Sequence, residues 1–259
     1  METQVTKKLP FWETIGRSFK YVFKNKALLI AILPVVGVLS VLQILLGLPF
    51  LCSIDARVCQ NDWRQTITLI SLIAAAIGII INYCRSIICK VNVDFISIKF
   101  WKQLGLYLVA SIALSIIVLG PAFVCILAAV FLFNFIGVPS LAVAASIIIP
   151  FIFCVVFAPL FLVFPAIAAE DYSLINWSKL FAMAKGNHNA IFWAQFIIMI
   201  PYWLVSAMCV QLYQLLGINN YPVNLLFVIV GLTLGVLDAC FKGAFFAHIY
   251  QFFKFYDKK

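Results

Sequence analysis

Six long apolar runs, separated by short polar intervals, constrain this chain more than any other feature of its sequence. Each run has the roughly 20 mostly apolar residues that one helical crossing of a bilayer needs, and none resembles the short alternating strands of a membrane β-barrel. Hydrophobic residues make up 65% of the chain and charged residues 10%, whereas a soluble domain is about half apolar and a quarter charged. We therefore expect an all-α, polytopic membrane protein, built as a single integral membrane domain over residues 1–259.

The sequence predicts six transmembrane helices that are kinked by proline. The third is expected to be interrupted midway, at Gly120 and Pro121, because proline removes a backbone donor. Broken helices are common where transporters bind substrate, but proline is also tolerated in ordinary membrane helices, and the sequence leaves both readings open. The predicted spans are residues 27–48, 66–84, 104–133, 138–164, 190–216 and 223–241. The prolines inside them are Pro34, Pro121, Pro150, Pro159 and Pro201.

The distribution of basic residues predicts the orientation. Six spans place both termini and the two longer loops on one side of the membrane. The only basic residues on the other side are Arg57 and Arg64. The side of the termini therefore receives 16 of the 18 lysines and arginines. Basic residues favour the cytoplasmic side, so we expect a multi-pass protein of the bacterial inner membrane with cytoplasmic N- and C-termini.

Amphipathic helices are expected at the cytoplasmic interface, before the first, third and fifth spans. In residues 11–26, apolar side chains share one helical stripe away from the charged ones; an ordinary extension of the first span is the alternative. Residues 91–103 are the weakest member, since their pattern alternates like a strand, and a helix is favoured there only for lack of a partner strand. The stripe of the first helix consists of Trp12, Ile15, Phe19, Val22 and Phe23.

The interval from Pro165 to Asn187 is the longest polar stretch in the second half of the chain, and it predicts a surface helix over about residues 171–186. Acidic residues favour a helix start, so Glu170 and Asp171 are placed there, with Asp171 or Ser173 as the cap. Lysine followed by glycine is typical of a helix end. In this helix we expect Trp177 and Phe181 to face the bundle or lipid headgroups, Lys179 and Lys185 to face anionic lipid, and Gly186 to end it.

Few polar side chains lie inside the predicted spans. Asp238 is the one acidic residue there, and Lys242 follows four positions later, so a local ion pair is favoured over a proton or ion relay. Interhelical hydrogen bonding is the expected role of the neutral polar residues. These are Gln43, Asn82 and Gln195.

The cysteines divide into two groups. Six lie in or beside spans without CxxC spacing and are expected to be small buried side chains. Cys52 and Cys59 bracket the first external loop, where an oxidising periplasm would allow a disulfide. We expect that bridge to contribute about 2.5 kcal/mol, because the ring is small.

Signatures of enzymes are missing from the sequence. It has no HExxH, GxSxG, Walker or dinucleotide motif, and only His188 and His248 as histidines. We therefore predict no catalytic residues, no metal site and no cofactor. The net charge of +9 is attributed to membrane orientation and not to nucleic acid, because no polar domain could present a nucleic-acid groove.

Three stretches resemble a family of bacterial six-helix inner-membrane proteins, which includes the membrane domain fused to some glycerophosphodiester phosphodiesterases. They are FWETIGRSFKYVFKNKALLIAIL, FPAIAAEDYSLINWSKLFAMAKGN and the ending FFAHIYQFFKF. The resemblance implies six spans with internal termini and supplies no catalytic residues. This chain lacks the soluble phosphodiesterase domain, so the resemblance does not imply that activity.

Two functions fit these observations. The first is a non-enzymatic protein with a structural, regulatory or partner-docking role in the envelope, which contacts anionic lipid headgroups and a membrane protein partner at its cytoplasmic face. The second is a transporter or lipid-handling component with a cavity between its broken helices. The scarcity of charge inside the spans favours the first for ions and polar solutes, but it discriminates poorly for lipids.

Overall fold

A computed structural model describes residues 8–45, 63–92, 95, 97–216 and 221–256, and this part of the chain is helical throughout, without strands. Two short 3-10 helices, Ala158–Leu162 and Tyr172–Leu174, connect longer elements. The α-helices are α1 (Phe11–Lys24), α2 (Lys26–Leu45), α3 (Trp63–Ile88), α4 (Ile98–Phe135), α5 (Pro139–Val156), α6 (Val163–Ala168), α7 (Trp177–Met183), α8 (His188–Leu216) and α9 (Tyr221–Tyr256).

Four segments of these helices are long and apolar enough to cross a membrane, and the number rises to six if each of two bent helix pairs forms one span. The bent pairs are Phe11–Lys24 with Leu28–Leu39, at 70°, and Ser140–Val156 with Ala158–Ala168, at 51°. The expected all-α membrane architecture is therefore found, and the count of six stays a prediction within that range. The four single segments are Ile70–Ile88, Ile98–Phe135, His188–Cys209 and Ile229–Lys254.

The centre of the bundle is the close packing of α3 against α9. A Cβ placed on Gly243 would lie 2.7 Å from Tyr83 Cβ and 2.9 Å from the carbonyl oxygen of Ile80. Only glycine permits this approach, and small residues at such contacts let membrane helices pack closely. The thiol of Cys84 donates to the carbonyl of Gly243 at 3.2 Å, so the two helices also share a hydrogen bond at this point.

The α4–α5 hairpin and α8 lie at the periphery. Most side chains in the membrane-length part of α4 are exposed, including Ile112, Ile116 and Phe123, and such apolar surfaces suit contact with lipid. α4 runs unbroken for 38 residues, about 57 Å at 1.5 Å per residue. The expected interruption at Gly120 and Pro121 is therefore wrong: the helix continues because lipid offers no partner for freed backbone groups.

The chain bends between α5 and α6. α5 ends at Val156, and Pro159 lies in the first turn of the 3-10 helix that follows. A proline there has no backbone N–H to extend the α5 ladder, which accounts for the break. The other four prolines predicted inside spans lie within helices and do not end them; these are Pro34, Pro121, Pro150 and Pro201, in α2, α4, α5 and α8.

The first helix, α1, is separated from α2 at Asn25, and the two are bent by 70° relative to each other. Asn25 ends α1, and its backbone N–H donates to the carbonyl of Tyr21. The predicted apolar stripe divides into two parts: Ile15 and Val22 are buried, while Trp12 is 72% exposed. Phe19 lies between these extremes and stacks obliquely on Phe241 of α9, with ring centroids 4.5 Å apart.

The segment before α4 is not the surface helix that its position suggested. α4 begins at Ile98, and the Ser97 hydroxyl caps it by accepting from the backbone N–H of Phe100 at 3.1 Å. Lys90, just after α3, has a left-handed backbone with φ of 55°. Helix therefore covers residues 98–103 of the predicted 91–103, and residues 93, 94 and 96 lie outside the described part.

Candidate functional site

Charged and polar side chains of the described residues gather where α3, α6 and α9 end and α4 and α8 begin; we call this the basic end of the bundle. Its centre is the acidic pair Glu170–Asp171, which follows α6. Glu170 has a φ of 59°; its N–H donates to Ile167, and that of Asp171 donates to Ala166. These two bonds form a Schellman motif. The pair therefore closes a helix, and its expected place at a helix start is wrong.

Glu170 occupies a position that normally belongs to glycine, and its side chain links the loop to α4. Lys99 Nζ lies 2.6 Å from Glu170 Oε1, and Gln103 Nε2 donates to the same oxygen at 3.0 Å. A non-glycine residue in a left-handed conformation costs roughly 1–2 kcal/mol. These contacts to the carboxylate are the visible compensation for that strain.

Asp171 links the same loop to the last turns of α9. Its carboxylate accepts from Tyr250 at 2.8 Å, from Lys254 at 2.6 Å and from Ser173 at 2.7 Å. Partial burial raises the pKa of Asp171, but hydrogen bonds from Lys254, Ser173 and Tyr250, together with the Lys254 charge, outweigh it and lower the pKa to about 2. The carboxylate is therefore ionised at any physiological pH.

The predicted surface helix over 171–186 is two shorter elements. After the 3-10 helix Tyr172–Leu174, α7 begins at Trp177, and Asn176 caps it by accepting from the N–H and hydroxyl of Ser178. Neither Asp171 nor Ser173 has that role, because Asp171 is engaged with α9. The element is thus capped three to five residues later than expected.

The other predicted residues of this segment divide between the bundle and the surface. Phe181 is half-buried, with its ring centroid 6.3 Å from that of Phe157, whereas Trp177 is exposed. Lys179 and Lys185 are also exposed. Gly186 has a φ of 79°, the left-handed conformation expected of a glycine that follows a helix. The segment therefore packs against the 3-10 helix before α6, while both lysines are exposed.

Asn187 ties the N-terminal segment to this loop, a role that sequence reasoning missed. Its side-chain oxygen accepts from the backbone N–H of Leu9 at 2.7 Å, and its carbonyl accepts from Ile191 in the first turn of α8. Asn187 is 4% exposed. The bond joins residues 178 positions apart, so no local pattern could have indicated it.

A cavity of about 420 Å³ lies between α1 and α9. Tyr21 is central to it: its hydroxyl is 3.2 Å from both Ser86 Oγ and Asn25 Nδ2, and its ring lies edge-on to that of His248, 6.0 Å away. Nε2 of His248 is buried and has no hydrogen-bond partner among the described residues. The residues lining the cavity are Arg17, Lys20, Tyr21, Lys24, Asn25 and His248.

The sequence signalled this cavity only in part. The basic side of α1 is visible in the sequence, but His248 stands 227 positions after Tyr21, and nothing in the local pattern of α9 brings the two together. The cavity is shallow and open to the surface over most of its boundary, and three of its six lining residues carry positive charge. It therefore suits an anion.

Arg85 is a second feature that sequence analysis treated only as an orienting charge. It lies in the last turn of α3 and is 6% exposed. Its Nη1 atom is buried and has no hydrogen-bond partner in the described part of the chain. A cation in the last turn of a helix is favoured by the partial negative charge of the carbonyl groups there, which offsets part of the cost of burial.

Within the spans, Asp238 and Lys242 lie together. Lys242 Nζ is 2.5 Å from Asp238 Oδ2, while the second oxygen, Oδ1, is buried and has no hydrogen-bond partner among the described residues. Asp238 is 8% exposed. The arrangement is a local pair one helical turn apart on α9.

The neutral polar residues of the spans do not converge on a described cavity. Asn82 donates to the carbonyl of Gly78, one turn earlier in α3, at 3.0 Å. Gln195 in α8 has a buried Nε2 without a hydrogen-bond partner among the described residues. The side chain of Gln43 lies outside the described part. The cavity that the structure does show is lined by residues of α1, α9 and the α1–α2 junction.

The cysteines and other candidate metal ligands are dispersed. Cys52 and Cys59 lie outside the described residues, so their bridge stays a prediction. Cys84 and Cys240 are buried, Cys154 and Cys209 are half-buried, and Cys89 and Cys125 are exposed, contrary to the expectation of uniform burial. Among the described residues, no three histidine, cysteine or acidic side chains are grouped to hold a metal ion.

Comparison of the chain with models of protein families, with curated proteins and with solved structures finds no match. The resemblance to six-helix inner-membrane proteins therefore rests on the three sequence stretches alone.

Proposed function

We propose that this chain is a non-enzymatic multi-pass protein of the bacterial inner membrane with a structural or docking role in the envelope. Its basic end would face the cytoplasm, where it contacts anionic lipid headgroups and a membrane protein partner. Both termini would lie on that side, as the distribution of lysine and arginine favours. A topology reporter fused after Lys259 that is active only in the periplasm would overturn this orientation.

The observation that carries the proposal is the contrast between the two parts of the bundle. Charged side chains are held at one end by contacts between elements, from Glu170 to Lys99 and from Asp171 to Lys254. The centre is filled by the close packing of α3 and α9 at Gly243. This protein has its polar groups organised at one end and a closely packed centre. Such an arrangement suits a protein that holds or orients other membrane proteins.

The alternative is a transporter or lipid-handling component, and two observations favour it. The α5–α6 pair is bent by 51°, and Gln195 has a buried, unpartnered amide nitrogen. Bent helices and buried polar groups are found where transporters bind their substrates. The close approach of α3 and α9 weighs against a path through the centre, although it leaves a route along the peripheral α5 and α8 open.

The test is recovery of the full chain from membranes with its surrounding lipid, in polymer discs without detergent, followed by identification of bound lipids and proteins. We expect enrichment of anionic lipid over the bulk membrane and a partner in fixed proportion. Asp171→Asn, which weakens the link to α9, should reduce partner recovery, whereas Ser146→Ala, at a half-buried position on α5, should not. Reconstituted protein that moves lipid or solute between leaflets, and recovers no partner, would favour the alternative.

A further inference from the structure

The cavity between α1 and α9 is lined by cationic and neutral polar side chains, and no carboxylate belongs to its described lining. Lys20, Lys24 and Arg17 supply the positive charges, and Asn25 supplies an amide. The Tyr21 hydroxyl is already hydrogen-bonded to Ser86 and Asn25. Lysine and arginine with neutral donors form the ordinary set that binds phosphate oxygens. The chemistry of the lining therefore selects an anion, and phosphate in particular.

Only one of the three cations of the lining has an ion-pair partner among the described residues. Arg17 pairs with Glu13 one turn earlier, and both side chains of that pair are more than half exposed. Lys20 and Lys24 form no ion pair with any described residue, and both are exposed. Nε2 of His248 is buried and has no hydrogen-bond partner among the described residues. A buried ring nitrogen without a hydrogen bond costs free energy that a bound ligand would recover.

The apolar neighbours of the cavity favour a lipid as the source of that phosphate. Trp12 and Phe23 on α1 are exposed, and so are Ile30 and Leu33 on the first turns of α2. Aromatic side chains of this kind settle at the level of lipid headgroups, and exposed aliphatic side chains suit acyl chains. Both helices that meet at Asn25 therefore carry exposed apolar side chains.

We propose that this cavity is a specific site for the phosphate of an anionic glycerophospholipid, with Lys20 and Lys24 contacting phosphate oxygens and the Asn25 amide donating its second hydrogen beside them. The inference rests on the proposed function, in that it needs the basic end to face anionic lipid. It goes further because it assigns one defined lipid site. The proposed function needs only a general attraction between basic side chains and anionic headgroups.

The test is binding of dioctanoyl phosphatidic acid to the purified full chain in a neutral detergent, measured by native mass spectrometry, with dioctanoyl phosphatidylcholine as the reference ligand. We expect saturation at one phosphatidic acid per chain. Each lysine would form a charged hydrogen bond to the phosphate. The loss of one such bond should weaken binding roughly tenfold. The double variant Lys20→Gln with Lys24→Gln should therefore bind about 100-fold more weakly.

The matched control is Lys179→Gln with Lys185→Gln, which removes the same charge from exposed positions at the same end of the bundle. It should bind within twofold of the wild type. Both double variants should keep the unfolding temperature of the wild type, because all four lysines are exposed.

Three results would overturn the inference, and they separate it from the proposed function. If both double variants weaken binding equally, attraction is diffuse: the defined site is wrong and the proposed function stands. If inorganic phosphate displaces phosphatidic acid at equal concentration, the site takes soluble phosphate and the assignment to lipid is wrong. If the wild type retains phosphatidic acid no better than phosphatidylcholine, the site and the lipid part of the proposed function both fail.

Discussion

Gly243 provides the sharpest test of how the bundle is packed. In Gly243→Ala the added methyl group would lie 2.7 Å from Tyr83 Cβ and 2.9 Å from the Ile80 carbonyl oxygen. The Ile80 oxygen belongs to the α3 backbone, and Tyr83 Cβ is bonded directly to it. No side-chain rotation can therefore relieve the clash. To bring the shorter distance to the 3.4 Å at which ordinary contacts begin, α3 and α9 must separate by 0.7 Å at this point.

The cost follows from overpacking. Adding one methyl group to a closely packed interior costs typically 1–3 kcal/mol, and the shift also lengthens the hydrogen bond from Cys84 to the Gly243 carbonyl. Alanine regains up to about 1 kcal/mol over glycine as a helix former. We therefore expect the free energy of unfolding to fall by about 1–2 kcal/mol.

Two other glycines make a graded series with this one. Gly235, on the same helix, has no atom within 4 Å of an added Cβ, so Gly235→Ala should be neutral or slightly stabilising. An added Cβ at Gly78 would meet the tip of the Phe100 ring at 3.1 Å. A ring tip can move by a few tenths of an ångström, so Gly78→Ala should fall between the other two.

The measurement is equilibrium unfolding in mixed micelles, with rising mole fraction of sodium dodecyl sulfate and helix content followed by circular dichroism. The expected order of stability is Gly235→Ala, then Gly78→Ala, then Gly243→Ala. If Gly243→Ala unfolds at the same denaturant fraction as Gly235→Ala, α3 and α9 do not approach each other as closely as the structure shows.

Three further predictions concern the basic end. Asp171 has a folded-state pKa of about 2, below its ordinary value near 3.9. Its contribution to stability, about 2 kcal/mol, is therefore present above pH 4 and lost as the pH falls through 2. Asp171→Asn should flatten the acid limb of a profile of stability against pH, and an unchanged limb would contradict this. Glu170→Gly relieves the left-handed strain but loses the Lys99 contact, so the free energy of unfolding should change by less than about 1 kcal/mol. Glu170→Ala keeps the strain and loses the same contact, so it should lower the free energy of unfolding by about 1–2 kcal/mol. Equal effects of the two variants would show that position 170 stores no backbone strain. In sealed inner-membrane vesicles, a chain with Cys89 as its single cysteine should react with an impermeant maleimide from the cytoplasmic side, and one with only Cys84 should not; labelling of Cys89 from the periplasmic side alone would reverse the proposed orientation.

The sequence predicted the helices because their signal is local. Apolar runs long enough to span a bilayer, with lysine and arginine near their ends, indicate membrane helices wherever they occur. The effect of proline was less predictable. Pro159 coincides with the break between α5 and α6, whereas Pro121 lies inside an unbroken α4. The local sequence around a proline does not specify whether neighbouring helices and lipid favour continuing the helix.

The arrangement of the basic end could not be predicted, because its contacts join distant parts of the chain. Acidic residues near a helix signature indicate an N-terminus, and that rule placed Glu170 and Asp171 wrongly. Their partners in the structure, Lys99 and Lys254, stand 71 and 83 positions away. Composition gave a more general indication. The chain has nine acidic and 18 basic residues, so an adjacent acidic pair was expected to find cationic partners.

The packing at Gly243 also bears on the choice between the two functions. Transport through the centre would require α3 and α9 to separate, which breaks the contact between Gly243 and Tyr83 and the bond from Cys84. A structural or docking protein needs no such movement. If Gly243→Ala lowers stability yet leaves lipid retention and partner recovery intact at temperatures where the variant is folded, the α3–α9 contact acts as a support. If the same variant instead raises the movement of lipid or solute across reconstituted membranes, that contact is a closed gate, and the transport alternative gains the stronger claim.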